Sequence, residues 1–226
     1  MRKIQRLAAV TAMAALTVAL AACSNGESPS TGTAPSAPAA APMSSQAAAM
    51  SNGVTTNADV FGPACGMLPQ GDAPGSLNNM GPAPVASAAS TNPLLTTLVT
   101  AVKAVPGLAD TLNSQQAITV FAPANPAFDA VKAQLGDSQF TALLGNPTQL
   151  GSLLQYHVVG TRYDAEGLVA AGKTTELAGG TLTIGGTATA PTVTDGKGNT
   201  ANILCGNIPT KNATVFVIDK VLMPAS

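Results

Sequence analysis

Tryptophan is absent from this chain of 226 residues, tyrosine occurs twice and histidine once. Carbohydrate platforms and single-strand binders work by stacking their ligands on aromatic rings, and this composition excludes both. Charge is equally scarce, at 9% of residues. Beyond the N-terminus the basic residues stand singly, at Lys103, Lys132, Arg162, Lys173, Lys197, Lys211 and Lys220. A polyanion binder needs its cations clustered on one face, so nucleic acid is excluded as a partner. The acidic residues do not fall at spacings that make an acid–base dyad, and nothing in the sequence requires a cofactor or a metal.

What is present begins at Cys23. It follows Leu20-Ala21-Ala22, which closes an uncharged run from Leu7 to Leu20 behind Arg2, Lys3 and Arg6. A run of about 14 residues is a signal-peptide length and falls short of the ~20 that span a bilayer. A small-residue site ending in Cys is the pattern of a bacterial lipoprotein signal. Residues 1–22 are therefore expected to be removed and Cys23 to carry lipid, which holds the protein to a membrane on its extracytoplasmic face. The alternative is an ordinary secretory signal cleaved after Ala22, with Cys23 incidental. The chain has three cysteines. With Cys23 acylated, Cys65 and Cys205 remain, and an exported protein by default joins such a pair as a disulfide. Two free thiols are the other reading.

Residues 23–57 continue as Ser, Thr, Pro, Ala and Gly with Glu27 the lone charge up to Asn57. Such a segment cannot bury enough apolar surface to order itself and reads as a flexible tether, open to O-linked sugars. Residues 58–226 read as one domain. Ala58 to Leu68 is weakly helical. Asn92-Pro93, Asn125-Pro126 and Asn146-Pro147 each place a capping Asn before a Pro at a helix start. Leu94, Leu95, Leu98, Val99 and Val102 then recur at helical spacing. The period changes in the second half. Leu182 and Ile184 alternate with Thr181 and Thr183, Asp195-Gly196 marks a hairpin, and Thr200–Cys205 and Ala213–Met223 read as strands. Helices first and strands later give an α+β order.

Three stretches carry a family resemblance. Thr119-Val120-Phe121-Ala122-Pro123-Ala124-Asn125-Pro126-Ala127-Phe128 resembles the first signature motif of the fasciclin-like domain. Leu153 to Val159, with Tyr156-His157 at its centre, resembles the family's Tyr-His segment, and Asn212 to Pro224 resembles its C-terminal motif. Together they span about residues 90–224. The chain departs from the pattern at Ala124, where Thr is frequent, and at Pro126, where an acid is common. The layout of signal, tether, one domain and paired cysteines is similar to mycobacterial secreted and lipoprotein antigens of this family. The resemblance implies a two-sheet β-wedge with flanking helices, and an adhesive role toward an extracellular, cell-surface or envelope component. An envelope carrier of lipid or a small molecule is the alternative, and it requires an apolar cavity.

His157, the single histidine, is the first candidate for catalysis. A serine triad needs an activated Ser, and Gly136-Asp137-Ser138 lacks the nucleophile elbow and reads as a helix start, with Asp137 or Ser138 as cap. No catalytic residue is assigned. His157 is expected to be half-buried and hydrogen-bonded to backbone or to the first motif. The motif residues Thr119, Phe121, Pro123, Asn125, Phe128, Tyr156 and His157 are expected to be structural, with ligand contact as their other reading. Asp195 to Asn199 looks superficially like a calcium loop but lacks the remaining oxygens. Asn212-Ala213-Thr214 is a formal glycosylation sequon and reads as the start of the last strand.

Overall fold

Helical segments do precede the main sheet. In the computed structural model, which describes residues 52–225, α1 (Leu77–Met80), α2 (Val85–Thr91), α3 (Thr96–Ala104) and α4 (Leu108–Ser114) come before β1 (Ile118–Pro123). Then follow α5 (Asn125–Leu135), α6 (Asp137–Leu144), α7 (Pro147–Tyr156), β2 (Val158–Val159) and α8 (Ala165–Ala171). The rest is strand: β3 (Lys173–Thr175), β4 (Thr181–Thr187), β5 (Ala190–Thr194), β6 (Thr200–Pro209) and β7 (Ala213–Ile218). Cys23 and the tether ahead of residue 52 lie outside the described residues.

The strands are ordered β2-β1-β7-β6-β5-β4-β3. The long β6 belongs to both halves of a wedge: its N-terminal part pairs with β5 and its C-terminal part with β7. Register shifts between Ile203 and Ile208 turn the strand from one half to the other, with Asn207 at φ 57°. Bulges bend a strand in this way. A bridge between Val159 and Glu176 joins the two ends of the order and nearly closes the sheet. The strand expected to stop at Cys205 therefore runs to Pro209, because the bulge interrupts the alternation without ending the pairing.

β1 and β7 lie parallel at the centre, in register from Ile118–Ala213 to Pro123–Ile218. Both are buried on both faces. Alternate side chains serve two cores, as the period of two requires. Ile118, Val120, Val215 and Val217 face the helical layer with Leu95, Leu98 and Leu154. Phe121, Phe216 and Ile218 face the wedge interior with Leu168, Leu182 and Val193.

Local signals placed two of the three Asn caps correctly. Asn92 accepts from Leu94 N at 2.9 Å and Asn146 from Gln149 N at 3.2 Å. Asn125 does not cap its own helix. Its Oδ1 accepts from Thr97 N and Thr96 Oγ1, and its Nδ2 donates to Pro93 O, so it caps α3 from the neighbouring strand end. Helix α5 starts instead on Ala124, with Pro126 in the first turn removing one donor that would otherwise lack a partner. The cap of α6 is Gly136, not Asp137 or Ser138; its φ of 81° lets the chain reverse between α5 and α6.

The N-terminal segment is stitched to β6. Cys65 and Cys205 form a disulfide across 140 positions. Phe61 and Gly206 pair antiparallel beside it, and Ala64 N donates to Leu204 O at 2.9 Å. A Cβ on Gly206 would lie 2.4 Å from the Phe61 ring, so the approach requires glycine. Ala58–Leu68 holds only two short 3-10 turns, Asn57–Asp59 and Cys65–Met67. Packing also begins earlier than the composition implied. Residues 53–57, expected to belong to the tether, include a buried Thr55 and a Thr56 that shares a capping box with Asp59.

Candidate functional site

The motif-bearing residues converge where β1, the end of α7 and the C-terminal segment meet. Thr119 Oγ1 donates to Thr161 O and accepts from Tyr163 N, both at 2.8 Å, which fastens the loop after β2 to β1. Phe121 stacks against Phe216 with ring centres 5.8 Å apart, inside the wedge. Phe128 turns inward from α5 to the helical core. Each of these side chains is buried.

His157 follows the last residue of α7 and is 3% exposed, sealed rather than half-buried. Both ring nitrogens are taken by backbone. Nδ1 donates to Leu153 O at 2.8 Å, and Nε2 accepts from Leu222 N at 2.9 Å. That pair of partners sets the neutral tautomer with the proton on Nδ1. Burial pushes the imidazole pKa down from 6.5 to about 4; the Leu153 carbonyl and the Asp195 carboxylate pull the other way. No nitrogen is left to activate a serine, so the geometry of a triad is not present at this ring.

Tyr156 and Asp195 complete the same junction. The Tyr156 hydroxyl accepts from Gly196 N at 2.7 Å. Burial pushes its phenol pKa up, against the Gly196 N–H; the Asp195 and Glu176 carboxylates add to the rise. Asp195 Oδ1 accepts from Lys197 N and Asn199 N; Oδ2 accepts from Asn199 Nδ2 and Met223 N. The β5–β6 turn is thus a hairpin closed by its own carboxylate, and the oxygens face N–H donors instead of a cation. Glu176 does similar work in the next loop, accepting from Ala178 N and Gly180 N.

The sequon asparagine is also interior. Asn212 Oδ1 accepts from Val85 N, and its Nδ2 donates to Leu112 O and Gln115 O, so it ties α2 and α4 to the start of β7. A sugar on this amide is incompatible with the folded state. Among the seven motif residues, only Asn125 has more than a buried side chain, and its amide is committed to α3.

A second polar cluster carries no signal in the sequence. Thr214 on β7 lies opposite Thr119 in the parallel register. Around it Arg162 Nε donates to Gly53 O and Thr214 Oγ1, and Nη2 to Thr210 O and Ala213 O, all at 3.0–3.1 Å. Gly53 takes φ 68°, and a Cβ there would lie 2.3 Å from Arg162 O. Burial lowers the guanidinium pKa, and no carboxylate offsets it. No local pattern marks this cluster, since its members come from four separate stretches of chain.

Apolar space lies elsewhere. A cavity of about 80 Å³ sits between α2, α3, α4, α7 and β1, lined chiefly by Val85, Leu98, Val102, Leu112, Val120 and Leu154.

Comparison with known proteins agrees with this geometry. The model of the fasciclin domain matches residues 93–224. The immunogenic protein MPB70 of Mycobacterium bovis is 40% identical over 172 residues, covering 74% of this chain and 83% of its own. The cell surface glycolipoprotein MPB83 of the same species is 38% identical over 228 residues, covering 96% and 95%. A Synechocystis protein, sll1483, is 35% identical over 142 residues, 62% of this chain and 73% of its own. Among solved structures, a FAS1 domain pair from the insect cell adhesion molecule fasciclin I superposes with TM-score 0.54 at 15% identity, over 62% of this chain and 51% of that one.

Proposed function

The chain belongs to the fasciclin domain family, and from that premise we propose that it is a non-enzymatic, lipid-anchored interaction protein on the surface of a bacterial envelope. The observation that carries the reading is the extent of the likeness to MPB83. It covers 96% of the chain and not the domain alone, so it reaches into the N-terminal segment that carries Cys23. The sealed His157 supports the absence of catalysis, because a general base needs a nitrogen within reach of substrate. The domain then serves as a rigid, disulfide-stitched body carried on a tether.

Two experiments test this. Mass spectrometry of the mature N-terminus is expected to find acylated Cys23; an unmodified residue following Ala22 would remove the anchor. Cross-linking on intact cells is expected to capture a discrete partner that saturates in a binding assay with the purified chain. Absence of saturable binding to any envelope, matrix or surface component would count against an interaction role. The carrier alternative gains little from the structure. Ligand pockets run to roughly 300–1,000 Å³, and the apolar cavity is several times smaller.

A further inference from the structure

The polar cluster at Arg162 opens on a depression of about 620 Å³, bordered by Val54, Thr55, Arg162, Thr210 and Lys211. Three observations at this place are unusual together. The first is an arginine whose charge is not compensated. Its Nε and Nη2 are held by carbonyl and hydroxyl oxygens, and among the described residues the one ion pair joins Lys132 and Asp137. Nη1 makes no hydrogen bond among the described residues and keeps two N–H donors. The second is an orphan hydroxyl. Thr55 is 6% exposed and its Oγ1 has no hydrogen-bond partner. Native interiors satisfy nearly all such atoms, but this oxygen is itself buried, so it marks a gap in the wall of the depression and not a donor open to it. The third is Lys211, exposed at the rim, whose backbone N–H is fixed to Ala83 O while its ammonium is free to swing.

We propose that this depression binds an oxyanion of a phosphate ester. The guanidinium is pre-positioned by four acceptors, which removes most of the ordering cost that an arginine otherwise meets on binding. Its free edge supplies charge-assisted donors and Lys211 supplies a second positive charge. The residues that border the depression include two cations and no acid, which suits a phosphate ester. The wide, shallow opening admits an ester whose organic part stays outside. A lipid headgroup and a soluble phosphate ester share this chemistry. The site is independent of the adhesive reading, since it rests on Arg162 and Lys211 alone.

The test uses the full chain in three arms. It is titrated with glycerol phosphate, with phosphatidylcholine vesicles, and with the same vesicles carrying phosphatidylglycerol. Any N-terminal anchoring is common to both vesicle types, so the increment due to anionic lipid is the readout. Amide shifts of Thr55, Arg162 and Lys211 report occupancy. Lys211→Gln is expected to weaken binding about fivefold, while Lys197→Gln, at the distant β5–β6 turn, leaves it unchanged. Among the described residues the Lys211 side chain makes no hydrogen bond or ion pair, so its variant is expected to fold. A Lys211-dependent increment on anionic vesicles identifies a headgroup. Lys211-dependent binding of glycerol phosphate without that increment identifies a soluble ester. Equal behaviour of the two lysine variants, or no shift at Thr55 in any arm, overturns the site.

Discussion

The Tyr156–His157 junction and the Arg162 depression are both polar clusters at the margins of the same wedge, and they are built on opposite plans. At the junction every polar atom that the described hydrogen bonds assign is matched from within: imidazole to two backbone groups, phenol to Gly196, carboxylate to the hairpin and to Met223. At the depression a guanidinium edge and the Thr55 hydroxyl are left over. The residues by which the family is recognised are spent on holding strands, helix ends and the C-terminal segment together. Chemistry open to a partner lies among residues that carry no motif.

The largest break in this comparison is the disulfide, which fastens the segment entering the depression to β6. Closing a loop of 140 positions is worth about 5 kcal/mol in the chain-entropy account. The Cys65→Ser/Cys205→Ser chain is expected to melt well below the parent, and amide exchange to rise first at residues 53–64. A uniform rise across the β1–β7 core instead would show that the segment is not a separable unit.

Next is the pH dependence at the junction. His157 is held neutral, with its folded pKa near 4 and its unfolded value near 6.5. Between those values the unfolded chain takes up the proton and the folded chain does not. Stability therefore falls as pH drops through that window, by about 3 kcal/mol at pH 4, and this contribution levels off below it. Denaturant melts of the full chain across that range measure the slope, and His157→Gln is expected to lower stability at neutral pH while flattening it.

The two clusters also differ in how far the sequence revealed them. Cap residues at Asn92 and Asn146 were legible because their partners lie two and three residues away. Cys65 and Cys205 were legible by counting thiols in an exported chain. Asn125 was misread because its partners lie 28 to 32 residues away, on an element whose approach no local pattern encodes. The Arg162 cluster was invisible for the same reason, and residues 53–57 were misassigned because Gly, Val, Thr and Asn have tether-like composition even when a β7 hydroxyl and an arginine fasten them.

That misreading sets a smaller test. Asn125→Ala is expected to cost about 1 kcal/mol, the size of a lost cap. The loss should appear as fraying at the start of α3 in amide exchange, with α5 intact. Fraying of α5 would restore the local reading. The smallest effect is expected of Lys211→Gln, within about 0.5 kcal/mol of the parent in stability, because only its backbone is engaged. A larger loss would mean that the depression is structural, like the junction.

The contrast between a sealed motif and an open depression is tested most directly by one titration. The chain contains a single histidine, so its imidazole resonance needs no assignment. Followed by NMR on the folded protein, His157 is predicted to stay neutral through pH 6.5 and to titrate near pH 4. A midpoint at 6.5 would place the ring in water, within reach of a ligand, and would contradict the account.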